Sequence, residues 1–169
     1  MVNKYTANHL LDALEKKYPN AAFVRELETA DEVELERFRT EPMPFIAGPT
    51  IRRIDAFMLE HKMRTAIEVK TSWADFKNES DAKRRPWIAL TNRFVYLAPT
   101  GVIPERSVPD GLGLWEFDGK TITITKQCRV IKDVPPLPED MTRNLVWRVS
   151  NLEKARRRER RKSALVQDR

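Results

Sequence analysis

Residues 66–76 read AIEVKTSWADF. The first half alternates as a β-strand does, so Ile67, Val69 and Thr71 face one way while Glu68 and Lys70 face the other. An acid and a base thus share one face of a strand with apolar neighbours. Upstream, RIDAFML at 53–59 reads as a second strand, with His61–Lys62 as a two-residue turn between them. With that turn Glu60 pairs with Met63 and, further along, Asp55 falls opposite Glu68. Directly opposed residues on one sheet face have Cβ atoms ~4.5–5.5 Å apart, and two carboxylates that close repel unless a cation lies between them. Mg²⁺ commonly takes one or two carboxylates, with phosphate and water completing its shell. Lys70, one step along the face, is placed to orient or deprotonate a water, or to stabilise charge on a phosphate. The pattern predicts metal-assisted phosphodiester hydrolysis, with Asp55, Glu68 and Lys70 catalytic and Asp55 and Glu68 holding the metal.

Outward from this hairpin, residues 5–17 form an amphipathic helix with Leu10, Leu11 and Leu14 as its apolar stripe. AAFVRELET (21–29) reads as a strand, residues 32–39 as a short exposed helix, and EPMPFIAGP (41–49) as a loop. Ser72 is a candidate N-cap with Asp75 in the capping-box position, so 73–84 is expected to be one helix that Pro86 ends or restarts. NRFVYLAP (92–99) is a further apolar strand. GLWEF (113–117) and TITITK (121–126) form a hairpin about Asp118–Gly119, read as a two-residue turn. A proline-rich connector, DVPPLPED (133–140), leads to a last helix from about Asn151. The expected architecture is an α/β (α+β) domain over 1–150, a central mixed sheet flanked by helices, with a basic helical tail over 151–169.

A chain of 169 residues with 41% hydrophobic and 33% charged residues suits one globular core. The single cysteine, Cys128, excludes an internal disulfide and a cysteine-rich zinc site. No apolar run approaches the ~20 residues of a membrane span, and the first residues lack a signal peptide's apolar block, so a cytoplasmic location is expected. Net charge is +6, yet eight basic and three acidic residues lie from Glu153 onward, so basicity is mostly a property of the tail. Residues 26–41 carry seven acids against two arginines and are ill suited to lie on phosphate. His9 and His61 are isolated, and there is no glycine-rich phosphate loop.

Asp55 followed, after a hairpin, by Glu68-Val69-Lys70 resembles the PD-(D/E)XK nuclease superfamily, although Ile54 stands where the motif's proline would be. The longer string is similar to small RecB-like nucleases of phages and bacterial DNA-repair proteins. It comprises EVKTSWADF, a charged helix with Lys83, NRFVYLAP and VPDGLGLWEF, covering about Ile51 to Phe117. The resemblance implies a restriction-endonuclease-like core and Mg²⁺- or Mn²⁺-dependent DNA hydrolysis, exonuclease ahead of endonuclease, in replication, recombination or repair within a bacterial or phage-infected cell. The implied partners are DNA and either further copies of the chain or a replication or recombination protein. It also implies an added acid at the metal, from the first helix (Glu15) or the strand before Asp55 (Glu26), each weighed against an ordinary surface carboxylate. Lys83 and Arg84 would face the scissile phosphate, or else form a solvated basic face.

KARRRERRK (154–162) holds seven basic residues, among them Arg156, Arg157, Arg160 and Arg161. It is either a phosphate-binding arm or a solvated tail, and beside a nuclease-like core it reads as a DNA contact. Trp73 and Trp87 are expected in the core rather than stacked on bases. The competing readings are a non-catalytic DNA-binding or assembly factor that retains the fold, and an unrelated RNA- or protein-binding adaptor. The opposed acids separate them, since a retired nuclease has no physical reason to keep two.

Overall fold

The computed structural model describes residues 5–40 and 50–167; the loop expected at 41–49 lies outside them. Six strands form an open mixed sheet in chain order: β1 (Ala22–Ala30), β2 (Ile51–Glu60), β3 (Met63–Val69), β4 (Arg93–Pro99), β5 (Gly113–Phe117) and β6 (Ile122–Lys126). β3, β4 and β5 run parallel, and the remaining neighbours are antiparallel. The helices are α1 (Ala7–Lys17), α2 (Glu32–Thr40), α3 (Trp73–Lys77), α4 (Asp81–Leu90) and α5 (Glu139–Gln167). The expected mixed α/β class therefore holds.

The β2–β3 turn is the two residues expected: Glu60 pairs with Met63 and the ladder runs to Ala56 with Ile67. α1 begins with a capping box in which Thr6 and His9 exchange side-chain and backbone hydrogen bonds. Its Leu10, Leu11 and Leu14 pack on Ala56, Met58, Ile67, Val69, Val95 and Leu97. At ~1.5–3 kcal/mol for each fully buried leucine, that stripe is a main anchor of one sheet face. Alternation puts Glu68, Phe94 and Tyr96 on the other face. There Phe76 of α3 meets the Tyr96 ring edge-on at 5.0 Å, and α4 packs over β2, β3 and β4.

Two local expectations are corrected. Residues 73–84 form two helices rather than one, because α3 ends at Asn78 and Ser80 precedes a new helix with Asp81 in its first turn. Pro86 lies buried inside α4, where it forgoes one backbone bond without ending the helix. The β5–β6 connection has four residues, since Phe117 pairs with Ile122. The Asp118 carboxylate closes it by accepting from Lys120 N and Thr121 N, both at 2.7 Å, beside the backbone bond from Asp118 N to Thr121 O at 3.2 Å.

Gly119 in that loop has φ 104°, and a Cβ there would overlap the Tyr5 hydroxyl. Gly119→Ala is therefore expected to cost about 1–3 kcal/mol in denaturant unfolding. Adding Tyr5→Ala should recover only the steric part, and an unchanged midpoint for the single variant would contradict this account.

Residues from Leu137 onward are a separate compact unit. α5, expected from about Asn151, starts earlier, at Glu139. Pro138 precedes that helix and Glu139 and Asp140 occupy its first turn, a favourable start for the dipole. No helix among the described residues is long and apolar enough to cross a membrane.

Candidate active site

Asp55 sits at an interruption of the sheet. On the β1 side, Arg25 pairs with Ala56 and Leu27 with Ile54, a frame that sets Asp55 across from Glu26. Glu26 has φ 52°, in the left-handed region. On the β3 side the ladder stops at Ala56. Asp55 is consequently not a ladder partner of Glu68, as its register predicts; its Oδ2 instead accepts the Val69 amide at 2.7 Å. Burial raises its pKa despite that hydrogen bond and the charge of Lys70.

Glu68 lies near the end of β3 across from Tyr96. Burial, reinforced by the Asp55 charge, pushes its carboxyl up to about 7. Lys70 follows β3, its backbone N–H bonded to Leu97 O at 3.0 Å, and only 4% of the residue is exposed. Its Nζ is 2.9 Å from Glu68 Oε1, 2.6 Å from Glu79 Oε2 and 3.7 Å from Asp75 Oδ1. Burial alone would lower its pKa, but Glu68 and Glu79 outweigh that and raise it. The ammonium is a fixed positive charge.

Sequence reasoning missed Glu79. It occupies the break between α3 and α4, and its side chain is almost fully buried against Lys70. The available signal was an acid just before a helix-capping serine, which periodicity cannot distinguish from a surface residue.

Asp55, Glu68 and Glu79 border one cavity of about 250 Å³ together with Arg53, Lys83 and Arg84. The Lys83 side chain makes no ion pair or hydrogen bond among the described residues. Arg84 donates to the Tyr96 hydroxyl at 2.8 Å and also pairs with Asp81. Among the described residues Trp87 Nε1 is a buried donor with no hydrogen-bond acceptor, and Arg52 Nε has only the Asp31 carboxylate, 3.7 Å away; both residues line this cavity. Unsatisfied donors at a polar cavity call for an acceptor-rich occupant such as water or an oxyanion.

The structure brings Asp55, Glu68, Lys70, Lys83 and Arg84 together and leaves other expected residues apart. Glu15 is held by Arg25 Nε at 2.9 Å on α1, whose leucines pack on the opposite sheet face, so it does not join the acids. Glu26 is exposed and does not line the cavity. Trp87 is in the core as expected, 1% exposed. Trp73 is not: Phe76 takes the buried position, and Trp73, 39% exposed, stacks on it at 5.4 Å. Arg156, Arg157 and Arg160 are exposed on α5, with Arg157 3.9 Å from Glu153; Arg161 lies on the same helix.

Among the described residues no group of three or more His, Cys, Asp or Glu is arranged to hold a metal ion. Asp55 and Glu68 alone fit Mg²⁺ or Mn²⁺ as a partial shell, two hard oxygen donors whose mutual repulsion a cation relieves, leaving positions for water and phosphate.

No family model and no curated protein matches this chain. Among solved structures it is similar to SPO1766, a protein of unknown function from Silicibacter pomeroyi, with a TM-score of 0.57 and 18% identity, covering 92% of this chain and 90% of that one. At that identity the likeness speaks for the fold.

Proposed function

We propose that the chain is a Mg²⁺- or Mn²⁺-dependent deoxyribonuclease, with an exonuclease preferred to an endonuclease. The carrying observation is that Asp55 and Glu68 share one small cavity with Lys83 and Arg84, while the Lys70 ammonium is fixed against Glu68 at 2.9 Å. The resemblance of Asp55, Glu68-Val69-Lys70 and the following string to RecB-like nucleases supports the same reading.

Asp55 and Glu68 would hold the ion. When bound, it supplies Lewis-acid polarisation of a phosphoryl oxygen and a more acidic water. A neutral amine, required for Lys70 to remove a proton from water, is opposed by Glu68 and Glu79. Its role is that of a fixed cation facing the negative charge that builds on the phosphate. Glu79 keeps it in place. Lys83 and Arg84 are positioned for the phosphate itself, with Arg84 held by Tyr96.

The test is incubation with end-labelled linear and circular DNA, single- and double-stranded, in Mg²⁺, Mn²⁺ or EDTA. Loss of label from linear DNA in either metal, and none in EDTA, is expected. Binding without cleavage in any metal would favour the non-catalytic DNA-binding factor.

The basic tail contributes affinity in this reading. Each lysine or arginine meeting duplex phosphate adds about −0.9 to the slope of log affinity against log salt. Removing residues 153–169 deletes eight basic residues. If about half touch phosphate at once, the slope becomes shallower by ~2–4. Leu152, just before the cut, is 63% exposed, so the deletion removes no core packing at its edge. Parallel salt plots for the two proteins would assign the tail to solvent.

A further inference from the structure

Beside the acidic cavity lies a larger one, of about 400 Å³, that shares Arg84 and Phe94 with it. The smaller volume is below the ~300–1,000 Å³ of typical small-molecule sites and suits a phosphate with its waters; the larger falls within that range. The second cavity has apolar walls at Ile88, Leu112 and Ile131, and Arg129 at its border. Arg129 is exposed and makes no ion pair among the described residues.

One wall is built in advance. Asn92 Nδ2 donates to Ile131 O at 2.7 Å and Ile131 N donates to Asn92 O at 2.9 Å, while Asn92 Oδ1 accepts from Arg64 N at 2.8 Å. Arg129 N donates to Gly111 O at 2.9 Å, which ties the same segment to the loop before β5. Asn92 thus fixes the segment carrying Arg129 and Ile131 to the sheet without any ligand.

We propose that this second cavity seats the nucleoside adjoining the phosphate held in the acidic cavity, so that the substrate strand is unpaired at the site. This rests on the phosphodiester reading for the identity of the neighbouring group. Arg84 borders both spaces, so a ligand with an anionic group in the first reaches the second with its next moiety. Apolar walls bordered by the Arg84 and Arg129 guanidinium groups and by the Asp81 and Asp110 carboxylates, which can accept from base N–H groups, suit a flat nucleobase, which stacks on apolar and arginine surfaces. A base still paired within a duplex cannot enter a concave site without leaving its stack.

The experiment uses the full chain in EDTA, where no hydrolysis occurs, and fluorescence anisotropy with two end-labelled probes: a short thymidine oligonucleotide and an abasic tetrahydrofuran-phosphate chain of the same length. The base-bearing strand is expected to bind at least about tenfold more tightly. Ile88→Trp and Ile131→Trp, each filling the cavity, should abolish that preference and leave abasic binding unchanged, with melting curves confirming folding. Ile131 is 37% exposed, so the second variant leaves the interior packing alone. Equal binding of the two probes, binding of neither, or a preference that survives both substitutions overturns the inference. Absence of cleavage in Mg²⁺ would refute the proposed reaction and leave this binding result standing.

Discussion

Lys70→Met is expected to cleave DNA at least ~100-fold more slowly than wild type at saturating DNA, while binding it almost as well. The substitution keeps the unbranched stem of a side chain that is almost wholly buried and removes its terminal ammonium. Two effects must be separated, because Glu68 and Glu79 then lose their buried cation, and breaking such a pair costs about 3–5 kcal/mol. Rates are therefore compared at a temperature where melting shows the variant folded. Asp55→Asn, which leaves the Lys70 ion pairs in place, should be equally inactive. Wild-type turnover by folded Lys70→Met would remove it from the chemistry, and activity in Asp55→Asn would do the same for the acid pair.

Without divalent cation, stability is expected to fall by about 2–3 kcal/mol as pH rises from about 4.5 to about 7, and then to level off. Glu68 is raised from 4.5 to about 7 by burial and by Asp55, so across that interval the folded protein keeps a proton that the unfolded chain has released. More protons on the folded state means that raising the pH favours unfolding. Asp55, also raised by burial, acts in the same direction. Asp31, where burial is outweighed by Arg85 and the Val33 and Glu34 amides together, and Asp118, held by the Thr121 and Lys120 amides, are lowered from 3.8 and act oppositely, their stability being lost only at more acid pH. The maximum should thus lie near the start of the Glu68 interval. Urea unfolding at several pH values in EDTA reads this directly, and Glu68→Gln should flatten most of the decline. Saturating Mg²⁺ should also oppose it, since binding to the ionised pair stabilises by mass action. A metal-free stability that rises steadily to pH 7 would mean the two acids are not crowded together.

The hairpin was legible because a two-residue turn leaves one frame for everything that follows, and a one-residue slip would have moved Met58 and Ile67 out of the core. The same frame could not show that Asp55 abandons ladder pairing for the Val69 amide, since side-chain capture of a backbone donor leaves no period. Glu79 was illegible for a related reason: its importance comes from a helix break that composition reads as continuous helix, and from a contact with Lys70 made through space. Glu15 stayed open between the metal and the surface because an acid on an amphipathic helix has the right spacing whichever sheet face the helix covers. Only the packing of Leu10, Leu11 and Leu14 on Ile67 and Val69 decides that face. The early start of α5 was hidden by Val146, Trp147 and Val149, residues of modest helix propensity that favour an extended reading.

Strand order equal to chain order has a consequence for how the molecule comes into being. No strand waits for a later one to be inserted beside it, so the sheet can extend edge by edge as the chain leaves the ribosome. The residues that line the acidic cavity, from Ile51 to Phe94, belong to one stretch of chain from β2 to the start of β4. The loops that must close to assemble them are short, and their closure entropy is correspondingly small. During synthesis the acids, the lysine and the flanking cations would be in place before β5, β6 and the basic tail have been translated.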